Sequence, residues 1–160
     1  MRTILKISGV LSWFNLVVWG IAICYALLIT LAAQSPALLV VPFLLSVIVL
    51  HSYAALQLHR SIKNPVRPLS SQTPVGIRFI GAVALFFGLT GFVNGITLLQ
   101  NPKEILDTIH KSSFPMAKDF TIFQIRISGV LALFVGLCVS VNVILNFRLL
   151  RWYHFMKGMM

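Results

Sequence analysis

Residues 7–59 form a run of 53 positions without a single Asp, Glu, Lys or Arg. The surface of a water-soluble domain cannot be made from such a stretch, because soluble domains carry roughly 25% charged residues. Two more charge-free runs follow, 24 residues at 79–102 and 21 at 127–147. About 18 or more apolar residues in sequence read as a transmembrane helix, and about 20 cross the hydrocarbon core. With 58% apolar and 10% charged residues over 160 positions, the chain is predicted to be an all-α integral membrane protein. Disorder, a soluble basic nucleic-acid domain and a secreted disulfide scaffold fit this composition poorly.

Four spans are expected in a single membrane domain over 1–160, at about 7–33, 38–59, 75–99 and 120–151. Gln34-Ser35-Pro36 is the only break in the long run, so a tight uncharged turn joins the first two spans. Pro42 falls early in span 2, where a missing N–H costs little. The connection 60–77 is polar and holds Pro65, Pro68 and Pro74. Thr73-Pro74 reads as an N-cap followed by proline at the first helical position. The longest connection, 100–124, contains Asn101-Pro102-Lys103-Glu104, a helix start. Ile105, Leu106 and Ile109 then share one side of a short interfacial helix, which Phe114-Pro115 ends. Trp152, Tyr153 and Phe155, interleaved with Arg151 and Lys157, read as an interfacial anchor. Arg2 and Lys6 resemble the start of a signal peptide, yet the apolar segment behind them is 27 residues long. A signal peptide's apolar region is about 7–15, so this segment is read as a retained span.

Net charge +10 would suggest nucleic acid in a soluble protein. Here the basic residues sit at span ends, so they report topology, and no nucleic-acid partner is expected. With the N-terminus inside, Arg2, Lys6, Arg60, Lys63, Arg67, Arg78, Arg148, Arg151 and Lys157 are cytoplasmic, and Lys103, Lys111, Lys118 and Arg126 are outside. The acids Glu104, Asp107 and Asp119 are outside too. Four spans predict an antiparallel up-down bundle with both termini on one side, expected in the plasma or inner membrane, and nine basic residues against four put the termini and 60–77 in the cytoplasm. Cys24 and Cys138 lie within apolar runs and behave as small hydrophobes, without zinc-site spacing.

Three spans open alike, Lys6-Ile7-Ser8-Gly9, Arg78-Phe79-Ile80-Gly81 and Arg126-Ile127-Ser128-Gly129. A duplicated two-helix hairpin would account for the likeness of spans 1 and 3 and of 2 and 4, with chance similarity among apolar helices as the alternative. Duplication accounts for only part of the stronger likeness of spans 3 and 4. Gly81, Ala84, Gly88, Gly91 and Gly95 advance by three and four residues, as do Gly129, Ala132, Gly136 and Ser140. Small residues let membrane helices approach closely, so the two stripes are expected to form a packing seam.

No Asp, Glu, Lys or Arg lies deep in a span, and charged groups at that depth are what mark ion paths and proton relays. No HExxH, GxSxG, P-loop or CxxC motif occurs either. No catalytic or metal-binding residue is therefore nominated. Asn15, His51 and Asn142 each lie nine positions from a basic residue, Lys6, Arg60 and Arg151. At about 1.5 Å per residue that is one polar layer roughly 13 Å deep, suited to packing or to a ligand, with His51 expected to bond Asn15 or Asn142. Asn94 and Asn142 each fall 13 positions after the first glycine of their stripe, which turns them from the seam toward a second interface.

No cofactor is expected. Haem would need two facing histidines, and His59 with His154 is the one pairing at a common depth. The leading expectation is a non-enzymatic protein acting through helix packing and assembly, as a homo-oligomer or a small accessory subunit of a larger membrane complex. A channel or carrier for a small neutral or lipidic solute is the first competing reading. A haem-binding electron carrier is the second.

Overall fold

The structure is a computed structural model that describes residues 2–64, 66, 69–70, 72–111 and 120–157. The expectations placed on Pro65, Arg67, Pro68, Phe114-Pro115, Lys118 and Asp119 lie outside the described residues. Among those described, five α-helices occur in order: α1 (Arg2–Ala33), α2 (Val40–Lys63), α3 (Gln72–Gln100), α4 (Pro102–Lys111) and α5 (Ile122–Lys157). All except α4 are long and apolar enough to cross a membrane, counting with α2 the short 3-10 turn Pro36–Leu39 that leads into it.

The local chemistry explains most boundaries. α1 ends where Gln34 takes φ 49, a left-handed conformation that lets its N–H return to the Leu31 carbonyl at 3.3 Å. Such a residue is a common helix terminator, and Pro36 just beyond cannot continue the ladder. α2 closes with Arg60 and Lys63 in its last turn, where cations favour the negative end of the helix dipole. α4 has Glu104 in its first turn and His110 with Lys111 in its last, the favourable polarity at both ends. Its Ile105, Leu106 and Ile109 are half-buried while Glu104, Asp107 and Thr108 are exposed.

One boundary differs from the sequence reading. Thr73 does not cap α3, which already begins at Gln72; its hydroxyl donates instead to Gln57 Oε1 at 3.3 Å. A side-chain acceptor on α2 outcompetes the local backbone for that hydroxyl.

By their contacts the residues divide into two compact units. The first is Met1–Leu85 with Val139–Met160, and the second is Phe86–Cys138. The first unit holds α1, α2, the opening half of α3 and the closing half of α5. Near its basic ends, Leu58, Ile77, Leu149 and Leu150 form an apolar core, with Ile4, Leu5, Ile62 and Tyr153 packed around it. The second unit holds the closing half of α3, α4 and the opening half of α5. Its helices α3 and α5 meet backbone to backbone.

Candidate functional site: a buried polar clasp

Ser8, Ser12 and Asn15 follow one another by four and three residues, which puts them on one stripe of α1. All three are buried. Asn142 and Asn146, four apart on α5, are buried as well. The two stripes interlock. Ser8 Oγ donates to Asn146 Oδ1 at 2.8 Å, and Ser12 Oγ donates to Asn142 Oδ1 at 3.0 Å. Asn146 Nδ2 in turn donates to Asn142 Oδ1 at 3.0 Å and to the Asn142 carbonyl at 2.8 Å.

His59 of α2 extends the chain of bonds, with its Nε2 3.1 Å from Ser8 Oγ. A hydroxyl has one proton, and Ser8 gives its proton to Asn146. His59 Nε2 therefore carries the hydrogen and donates to Ser8. The sense runs from His59 to Ser8 to Asn146 to Asn142, with Ser12 joining from the far side. Asn146 uses both amide hydrogens and its oxygen, so it is fully satisfied and wholly buried. Gly9 makes room for the imidazole, because a Cβ there would lie 3.3 Å from His59 Nδ1.

The three residues of the expected polar layer are all buried in this first unit, but they are not bonded to one another as expected. Both His51 ring nitrogens lack a hydrogen-bond partner among the described residues, as do both polar atoms of the Asn15 side chain. Asn142 Nδ2, Ser52 Oγ and Trp19 Nε1 share that condition. His51 is held by shape. Its ring meets the edge of Phe147 with centroids 6.5 Å apart at 83°. Gly81 lies beside both rings, where a Cβ would come within 2.9 Å of His51 Cε1 and 2.7 Å of Phe147 Cε1.

No protein family, curated protein or solved structure matches this chain.

The second unit holds the centre of the two glycine stripes. A Cβ on Gly95 would lie 2.7 Å from the Leu133 nitrogen and 2.8 Å from the Gly129 oxygen. A Cβ on Gly136 would lie 2.6 Å from the Phe92 nitrogen and 2.7 Å from the Gly88 oxygen, while one on Gly91 would sit 3.9 Å from Gly136 Cα. Ala132 is half-buried in the same unit. The remaining members, Gly81, Ala84 and Ser140, fall in the first unit, where Gly81 serves His51 and Phe147. Asn94 is exposed in the second unit and Asn142 is bonded in the first. His154 is exposed and lies against Tyr153, whose hydroxyl accepts the Leu69 N–H at 3.4 Å.

Sequence reasoning passed over Ser8, Ser12 and Asn146 as site residues. Their signal was spacing: Ser8-x-x-x-Ser12-x-x-Asn15 and Asn142-x-x-x-Asn146 are polar stripes inside apolar runs. Chemically the clasp offers hydroxyls, amides and an imidazole already committed to one another. Among the described residues no group of three or more His, Cys, Asp or Glu side chains gathers as a metal site.

Proposed function

We propose that this chain is an integral membrane protein that works without catalysis, through helix packing and assembly, as a homo-oligomer or as a small accessory subunit of a larger membrane complex. The observation that carries the reading is the inverted polarity of α1. Every buried residue of α1 is polar: Ser8, Ser12, Asn15 and Thr30. Its outward stripe is Val10, Trp13, Val17, Ile21, Tyr25 and Leu28, all exposed. A water-facing helix has the opposite distribution, whereas in lipid the apolar face is solvated by acyl chains and interhelical polar bonds hold the helices together.

The clasp also supports an antiparallel order of α1 and α5, because Ser8 pairs with the later Asn146 and Ser12 with the earlier Asn142. The non-catalytic, packing side of the reading is supported by how Ser8, Ser12, His59, Asn142 and Asn146 are spent, on tying three helices to each other. In mild detergent, native mass spectrometry should then find the chain in a stoichiometric complex with itself or with one other membrane protein. A lone monomer that moves solute across liposomes would replace this reading with a carrier for a small neutral or lipidic solute. The specific observation behind that second reading is the set of unpartnered buried atoms at Asn15, His51 and Ser52.

The basic asymmetry supports cytoplasmic termini. Single cysteines at Ser70 and Ser112, in a chain freed of Cys24 and Cys138, should react differently with an impermeant maleimide on intact cells. Position 112 should be labelled and position 70 protected. Labelling of position 70 alone would invert the topology.

A further inference from the structure

Two crevices open on the first unit, and the six lining positions of one match six of the nine of the other. The first, of about 630 Å³, lies between α1 and α2 and presents Lys6, Arg60 and Lys63. The second, of about 460 Å³, lies between α3 and α5 and presents Arg78, Arg151 and His154. The α2 positions 56, 59, 60 and 63 and the α5 positions 147, 150, 151 and 154 line them at identical spacing. Lys6 and Val10 on α1 match Arg78 and Ala82 on α3 in the same way. The α1 and α3 part of this correspondence follows the sequence repeat that opens at Lys6 and Arg78, and the α2 and α5 part is a match of the linings themselves.

Each crevice is amphipathic along its length. Val10, Trp13 and Leu56 form the apolar wall of the first, and Ala82, Phe147 and Leu150 that of the second. The cations have nothing of opposite sign nearby in sequence or unit, because Glu104, Asp107 and Asp119 all lie within 86–138. Arginine and lysine converging from two helices make a phosphate-binding arrangement, and an apolar wall running away from it suits an acyl chain.

The geometry points to two equivalent sites for an anionic phospholipid, one per helical hairpin, with the headgroup phosphate on Lys6/Arg60/Lys63 and on Arg78/Arg151/His154. This rests on the membrane reading above. Lipid is favoured over a soluble phosphate because the first cluster continues directly into exposed Val10 and Trp13, and the second into exposed Ala82 beside half-buried Phe147.

Trp13 is itself the probe. Replacing Trp19 and Trp152 with phenylalanine leaves it as the sole tryptophan of the three. The protein is reconstituted in phosphatidylcholine vesicles containing either brominated phosphatidylglycerol or brominated phosphatidylcholine, and quenching is compared. Basic groups near an anionic lipid surface each add attraction, and a preference of about tenfold for the anionic lipid is expected. It should fall to parity in Lys6→Gln/Arg60→Gln and persist in Arg2→Gln/Arg148→Gln, which removes as many charges outside both crevices. Lys63→Gln alone, a milder change, should reduce it partially. Leu85 is the counterpart of Trp13 in the repeat, so Leu85→Trp with Trp13→Phe reads the second site, where Arg78→Gln/Arg151→Gln should abolish the preference. Equal quenching by the two lipids overturns the inference while leaving membrane insertion standing. Absence of quenching by either lipid overturns the membrane reading and this inference with it. Loss of the preference on adding millimolar inorganic phosphate would reassign the crevices to a soluble anion.

Discussion

Gly136→Ala should destabilise the protein in detergent far more than Phe86→Leu does. The added Cβ would land 2.6 Å from the Phe92 nitrogen and 2.7 Å from the Gly88 oxygen. Both are backbone atoms of α3, so no side chain can rotate away, and the helices must separate along the seam. Overpacking typically costs about 1–3 kcal/mol, and rigid neighbours place this case at the upper end. Phe86 is 65% exposed and already bulky, so trimming it to leucine removes little packed surface. Thermal unfolding of the two variants in one detergent checks the ranking. If Phe86→Leu proves the more damaging, the glycine contact is not what holds the second unit together. Gly20 and Gly76 serve as internal controls, since a Cβ at either meets nothing within 4 Å.

The second large effect is expected at Asn142. Its Oδ1 accepts from Ser12 and from Asn146, so Asn142→Leu strips Ser12 of its acceptor and leaves Asn146 Nδ2 only the backbone carbonyl of position 142. Leaving a buried polar group unpaired costs about 1–3 kcal/mol, although interhelical bonds within membranes average nearer 0.6. Asn142→Leu should therefore lose more stability than Ser12→Ala, and the double variant should lose less than the sum of the two. A double-mutant cycle in urea or by thermal melting measures this coupling. Zero coupling between positions 12 and 142 would mean that the clasp contributes nothing. Asn94→Leu, at an exposed amide, should be neutral or mildly stabilising by the same measurement. His51→Leu should not couple to Asn142, because the imidazole nitrogens are not engaged with it.

Four long apolar helices and the short amphipathic α4 were legible because charge-free length and 3.6-residue periodicity are one-dimensional properties. The reversal at 34–36 was equally readable, from a lone polar interruption ending in proline. Depth in a span is also arithmetic, and the three residues expected at one level, Asn15, His51 and Asn142, are all buried. Depth does not settle rotation about the helix axis, and rotation decides partners. Asn142 meets Ser12 rather than His51, and serine at positions 8 and 12 is too common in apolar helices to stand out by type. The glycine stripes show the same limit. A stripe specifies a face, but Gly81 faces a histidine and a phenylalanine whereas Gly95 and Gly136 face backbone. Thr73 misled for a local reason, since a good N-cap residue also makes a good donor to a glutamine on a neighbouring helix.

The clasp also imposes an order on biosynthesis. Ser8 finds His59 after 51 intervening steps of the chain, but its bond to Asn146 spans 138 positions and that of Ser12 to Asn142 spans 130. At ribosomal speeds Ser12 waits roughly ten seconds for its acceptor to be made. The polar stripe of α1 is thus left open until α5 emerges, and side chains made more than a hundred positions later are the ones that lock it.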